Sequence, residues 1–213
     1  MKVAIFDFDG TLLRGNSYHL FFQWVLRNRP ARAPGLLLCL LLRKLRLVPA
    51  RFLKNCTLRV LRGLSEAEVL ALGRRLHQEL LAPRLRPEGL RELAQRRAEG
   101  CEIVLLTGAF DFLVAPLVEA QAIPLWHATR LEFRDGLCAG AIDGEESRGS
   151  EKLRAMETLF AGRMVDWAES RAYGDEEDDV PVLSRVGHPV WIETRRKAPR
   201  TLPPACQCVR WDP

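Results

Sequence analysis

Two aspartates, Asp7 and Asp9, close the apolar run Val3-Ala-Ile-Phe-Asp-Phe-Asp-Gly-Thr-Leu-Leu13. An ionised carboxylate at the end of a buried strand loses hydration that apolar neighbours cannot replace, so something positive has to meet it. The other reading is a strand running into a solvated Asp-Gly turn. A second acidic stretch lies far along the chain, in Ala172-Tyr-Gly-Asp-Glu-Glu-Asp-Asp-Val-Pro-Val-Leu183, where residues 175–179 are all acids. Alone it could be a solvated loop. Shared with Asp7 and Asp9 it makes a site for a hard divalent cation, Mg²⁺, which takes carboxylate oxygens and keeps waters for a phosphate.

Both stretches need elements that hold them. Lys2 to Phe6 and Glu102 to Leu106 read as continuous apolar strands, the pattern of strands covered on both faces. Ser65 to Glu68 is a capping box that opens a helix running to about Leu81, and Pro87 opens another that ends near Gly100. Helices are also expected over Asp111–Gln121 and Ser150–Phe160, a hairpin over Arg130–Ala141 turning at Asp135-Gly136, and strands at Ala172-Tyr173 and Pro189–Ile192. Alternating strands and helices predict an α/β fold with a parallel sheet, whose ligands sit at the carboxyl ends of the strands. Asp7 and Thr107 lie at such ends.

With 213 residues, 47% hydrophobic and 28% charged, the chain is that of a folded protein with a good core, large enough for a core domain plus a smaller insertion. Six cysteines without CxxC spacing, and no signal peptide before the first strand, predict reduced thiols and a cytoplasmic protein. Cys206-Gln-Cys208 reads as ordinary tail sequence. The net charge of +5 is unevenly spread: Arg14 to Gly100 carries eighteen Lys+Arg against six Asp+Glu, with no acid between Asp9 and Glu66. Such a block favours anions, yet it has no aromatic-interleaved groove motif for nucleic acid.

In this setting the chain resembles haloacid dehalogenase (HAD) superfamily phosphatases of the branch that contains phosphoserine phosphatase. Four pieces carry the resemblance in order: Asp7-Phe-Asp9-Gly-Thr11, Leu105-Leu-Thr107-Gly108, Lys152 in the segment "SEKLRAM", and Gly174-Asp175 through Asp179. It implies a Rossmann-like core of residues 1–13 and 86–213 with a helical cap inserted over 14–85. It implies phosphomonoester hydrolysis with Asp7 as nucleophile, through an aspartyl-phosphate, and Asp9 as general acid and then base. Thr107 and Gly108 would hold the phosphoryl group, and Lys152 would neutralise it. Mg²⁺ would be bound by Asp7, the Asp9 carbonyl and Asp175, supported by Asp179.

The departures from phosphoserine phosphatase concern the substrate. Asn16 stands where that enzyme has a Glu that recognises the amino group, and Thr57 falls where a cap arginine pairs with the carboxylate. Asp178 replaces an Asn and Glu176 a frequent Ser. A small phosphorylated metabolite other than phosphoserine is therefore expected, with Asn16 and His19 as cap residues near it; structural roles are expected for the histidines. The basic cap also holds Leu36 to Leu42, seven apolar residues followed by Arg43, Lys44 and Arg46. The run is far too short to span a bilayer. It is expected either to be buried against Phe21, Phe22 and Trp24 or to lie at a membrane interface. In length and in this cap the chain resembles branch members that act on phosphatidylglycerophosphate, so a lipid phosphate is the alternative substrate. A non-catalytic binding protein on the same fold is the reading from another class.

Overall fold

A computed structural model describes residues 1–194 and 201–211. Its centre is β1 (Val3–Phe6), buried along its whole length. Val3 and Ile5 face one apolar cluster and Ala4 and Phe6 the other, as the two-residue repeat of a strand covered on both faces requires. On one side β1 pairs in parallel with β2 (Glu102–Phe110), which pairs with β3 (Leu125–Thr129). A separate antiparallel hairpin, β4 (Leu131–Arg134) and β5 (Leu137–Ile142), follows. The chain then returns to the other side of β1 with β6 (Arg171–Gly174), β7 (His188–Ile192) and β8 (Gln207–Val209), all parallel. The sheet order is β3-β2-β1-β6-β7-β8. The direction of winding reverses between β1 and β6, so a crevice opens beyond their carboxyl ends.

Helices cover both faces. α5 (Pro87–Ala98) and α6 (Asp111–Ala120) supply Leu93, Phe112, Leu113 and Val114 to one cluster. α7 (Ser150–Leu159) and the short α8 (Val180–Leu183) supply Met156 and Val182 to the other. The fold is the expected α/β architecture, and the hairpin turns at Asp135 and Gly136 with φ of 50° and 76°, the left-handed pair that Asp-Gly adopts readily. Two strands escape the sequence pattern. β3 has no apolar repeat of its own, and the segment read as tail sequence at Cys206–Cys208 contributes to the edge strand β8.

The chain leaves the sheet after Leu13 and returns at Leu85, and the two crossings run side by side. The Arg14 amide donates to Arg84 O and the Arg86 amide to Leu12 O, both at 2.8 Å. Between them lie α1 (Ser17–Asn28), α2 (Ala33–Lys44), α3 (Ala50–Leu58) and α4 (Glu66–Leu76), the last continued by one π-helical turn, His77–Leu81. The capping box is present: Glu68 N–H donates to Ser65 Oγ and Ser65 N–H to Glu68 Oε2. Cys138 N–H donates to Leu64 O and Gly63 N–H to Cys138 O, tying the hairpin to this insertion.

Helices α4 and α6 touch backbone to backbone at Gly73, where an added Cβ would lie 2.0 Å from Phe112 O. Neither backbone can yield cheaply. Gly73→Ala is expected to cost about 2–3 kcal/mol of stability, read as a lower midpoint in thermal or urea unfolding; an unchanged midpoint would show that the helices separate without penalty.

The leucine run behaves differently from a buried cap helix. Leu36 packs in the cluster that holds Phe21 and Trp24, but Leu37, Leu38 and Leu41 face solvent. A helix that is apolar all round, placed at the surface, can turn only one side inward. Among the described residues no helix is long and apolar enough to cross a membrane.

Candidate active site

Parallel pairing of β1 with β6 sets Phe6 beside Tyr173, so Asp7 and Asp175 emerge together at the switch point. The Asp7 amide donates to Tyr173 O at 3.0 Å, which fixes where the turn begins. Gly10 then has φ of 86°, and a Cβ there would lie 2.1 Å from Asp175 Oδ2. Only glycine lets the β1 turn approach the acidic loop so closely.

Lys152, in the first turn of α7, reaches across the crevice. Its Nζ donates to Asp7 Oδ1 at 2.7 Å and to Asp179 Oδ1 at 2.5 Å, and all three residues are buried. Asp179 Oδ2 accepts the amides of Asp175 and Glu176, both at 3.0 Å. Asp179 therefore braces the acidic loop with one oxygen and orients Lys152 with the other. The hydroxyl of Thr11 donates to Asp175 Oδ1 at 3.3 Å, and that of Thr194 to Oδ2 at 3.5 Å.

Asp7, Asp175 and Asp179 each place an oxygen within 4.8 Å of the others. Burial pushes the Asp7 carboxyl up to about 8, with the Asp179 and Asp175 charges adding to the shift and Lys152 opposing it. Burial also works to lower Lys152, but the Asp179 and Asp7 carboxylates outweigh it and hold the ammonium above its ordinary range. Three buried carboxyl groups share the one Lys152 ammonium, and the upward shift of Asp7 reflects the negative charge that Asp175 and Asp179 crowd against it. A small divalent cation with a preference for oxygen fits that charge and that donor set.

Asp9 points the other way. Its Oδ1 accepts the Ser17 amide at 2.7 Å and its Oδ2 the Ser17 hydroxyl at 3.0 Å, so the carboxyl rests on the amino end of α1. Asn16 caps that helix, its Oδ1 accepting the His19 amide at 3.1 Å. This capping contact gives Asn16 a structural role that its place near the substrate did not reveal.

On the β2 side, pairing with β3 is regular to Leu106, slips, and resumes at Phe110. The strand does not end before Thr107 as its apolar run suggested; it bulges there. Thr107 is buried, with Oγ1 accepting the Ala109 amide at 3.2 Å. The Thr129 hydroxyl donates to Gly108 O at 3.0 Å and accepts the Ser147 amide at 3.2 Å, joining the bulge to the segment before α7.

These residues share a pocket of about 560 Å³, where Asp7, Asp9, Thr107, Gly108, Lys152 and Asp179 meet Asn16 and His19 from the insertion. Asp175 lies beside Asp7, almost wholly buried. The insertion also contributes Lys54, whose Nζ forms an ion pair with Glu146 and stands 5.8 Å from the Tyr18 ring centre and 5.9 Å from that of Phe110. Thr57, the position matched to the cap arginine, turns inward and donates to Leu53 O at 2.9 Å. The cation on this wall comes from one turn earlier.

The departures Glu176 and Asp178 also find a partner: Arg148 donates to Glu176 Oε2 at 3.0 Å and to Asp178 Oδ2 at 2.5 Å. Ser17, Lys54, Thr129 and Arg148 were not singled out by sequence reasoning. Lys54 was one basic residue among many, and Arg148 meets acids 28 and 30 positions away.

Comparison with known proteins agrees with this architecture. The chain is 30% identical over 194 residues to Protein CicA of Caulobacter vibrioides, covering 85% of this chain and 82% of that protein. It is 32% identical over 131 residues to the phosphoserine phosphatase SerB1 of Mycobacterium tuberculosis, covering 61% of this chain and 42% of that one. A crystal structure of a protein of unknown function from Bordetella pertussis Tohama I superposes with a TM-score of 0.77 at 27% identity, covering 90% of this chain and 89% of the other. The model for haloacid dehalogenase-like hydrolases matches residues 4–184. With most of its length matched in this way, the chain belongs to the haloacid dehalogenase-like hydrolase family.

Proposed function

We propose that this protein hydrolyses a small phosphomonoester other than phosphoserine, through an aspartyl-phosphate on Asp7, with Mg²⁺ as cofactor. The observation that carries this reading is the Lys152 ammonium held between Asp7 and Asp179 in the pocket, with Asp9 lining the same pocket. A binding protein would have no need of two carboxylates so placed with a buried cation. In the first step an Asp7 carboxylate oxygen attacks phosphorus and the ester oxygen leaves, taking a proton from Asp9. In the second, Asp9 takes a proton from the attacking water and the phosphorus–Asp7 bond breaks. Ser17 suits both states of Asp9, because its hydroxyl donates to a carboxylate and can accept from a carboxylic acid. Thr107 and the Gly108 amide cradle the phosphoryl oxygens, and Lys152 offsets their charge.

Asp7, Asp175 and the Asp9 carbonyl would hold Mg²⁺, with Asp179 bracing the loop. When bound, the ion supplies charge that stabilises the phosphoryl group. Helices α1 to α3 act as the cap over the pocket, within an insertion bounded by residues 14 and 85.

The roof argues against phosphoserine. Asn16 is engaged in a helix cap, Thr57 faces away, and Lys54 is already paired with Glu146. The ammonium of a zwitterionic amino acid would be poorly met, because Asn16 carries no charge and Glu176 and Asp178 are already paired with Arg148. In a panel of phosphate esters with Mg²⁺, O-phosphoserine is expected to have a kcat/KM at least roughly tenfold below the best ester, and chelation should abolish all turnover. O-phosphoserine ranking first would overturn the substrate reading; undiminished turnover in chelator would overturn the cofactor reading.

A further inference from the structure

We propose that α2, α3 and the turn between them form a docking surface for an anionic lipid bilayer, next to the pocket mouth. Nine large apolar residues are exposed among those described, and six of them fall in one short stretch: Leu37, Leu38, Leu41, Leu45, Leu47 and Phe52. Each is between 40% and 68% exposed. Scattered singly, such residues need no explanation; concentrated on two consecutive helices and their turn, they mark a surface with a partner.

The charge around them says which partner. Arg43, Lys44 and Arg46 are exposed within the same stretch, and the chain has no acid from residue 10 to residue 65. The turn passes through Arg46 in the left-handed region, at φ of 59°, where a glycine would be unstrained. The strained position instead carries a cation, with exposed leucines on either side of it. An apolar face fringed by cations is complementary to an anionic bilayer: leucines enter the boundary of the acyl chains while the cations meet the headgroups. At about 18 Å, α2 would lie in the interface and cannot cross it. A second copy of the same chain is the poorer occupant, since it would set one basic fringe against another.

The docking face is continuous with the pocket, because Leu40, Arg43, Lys44 and Arg46 also line the cavity. The mouth therefore opens beside the bilayer. Resting on the phosphatase reading, the further consequence is that docking holds the catalytic pocket at the level of the headgroups.

The test is co-sedimentation of the full chain with vesicles of phosphatidylcholine, with and without phosphatidylglycerol, at low and high salt. Wild type is expected to pellet with the anionic vesicles, more strongly at low salt, with a residual bound fraction at high salt from the inserted leucines. Leu38→Glu with Leu41→Glu should lower the partition coefficient about tenfold or more, while leaving hydrolysis of a soluble aryl phosphate unchanged, since neither side chain lines the pocket. No pelleting of wild type, or equal pelleting of the double variant, would overturn the docking surface. So would a wild-type dimer in sedimentation velocity that the double variant loses, because the face would then cover a second copy. Vesicle binding without aryl phosphate hydrolysis would leave the docking surface standing and strike the phosphatase reading.

Discussion

Asp7→Asn is expected to abolish turnover of an aryl phosphate, by at least roughly 10⁴-fold in kcat. The amide oxygen and nitrogen share a delocalised lone pair and carry no charge, so neither attacks phosphorus as a carboxylate does. Loss of stability would not account for the result. In the metal-free protein burial pushes the Asp7 carboxyl up to about 8. A carboxyl whose folded pKa lies above its unfolded value makes the native state bind the extra proton. Asp7 thus lowers stability progressively as pH rises from its unfolded value towards 8. Asparagine lacks that liability, and Lys152 keeps Asp179 as a partner. The metal-free variant should melt at or above the wild-type temperature at pH 8 while being inactive. Single-turnover measurements showing a rate within tenfold of wild type would remove Asp7 as the nucleophile.

Lys152→Ala has the second largest expected effect, and it acts on both rate and stability. The ammonium lies between two buried carboxylates, and without it those charges lose their nearest compensation. Removing one member of a buried charge cluster costs about 3–5 kcal/mol. The transferring phosphoryl group also loses a fixed positive partner, for which a fall of roughly 10²-fold or more in kcat is expected. Lys152→Met separates the two effects. It restores most of the volume, so it should recover part of the lost stability but none of the rate. Recovery of activity in Lys152→Met would show that Lys152 fills space and that the phosphoryl charge is met elsewhere.

The acids of the candidate site were legible in the sequence because they depend on local spacing. Asp7 and Asp9 follow a strand that any apolar run of that length would make, and the acid run after Gly174 needs only β6 to stand beside β1. Thr107, Gly108 and Lys152 entered the site only through the resemblance to a family, since a Thr-Gly pair after a strand and a lysine at a helix start carry no chemistry by themselves. The unread features depend on distance along the chain or on counting turns. Arg148 makes sense of Glu176 and Asp178 only once α7 lies against the acidic loop. Lys54 escaped because matching Thr57 without a gap counts residues, whereas the wall of a pocket is set by which face of α3 turns inward. β8 has too few residues for a pattern. The leucines of α2 show the limit most clearly: their sequence fixes that they are apolar, but which of them face water depends on where the helix is placed.

The adjacent crossings at Leu13 and Leu85 bear on the entropy of the whole chain. Neighbouring strands separated by a long connection ordinarily incur a closure penalty that grows as the logarithm of its length. Here the connection leaves and returns through one bridge, with hydrogen bonds on both sides of it. Once folded, the insertion presents its two ends to the sheet already together, and the sheet closes a loop much shorter than the sequence separation of β1 and β2. Length changes within α2 and α3 therefore add little to the closure entropy of the strands. The roof of the pocket can be recast, and the set of admissible substrates with it, while Asp7, Lys152 and Asp175 keep their places beneath.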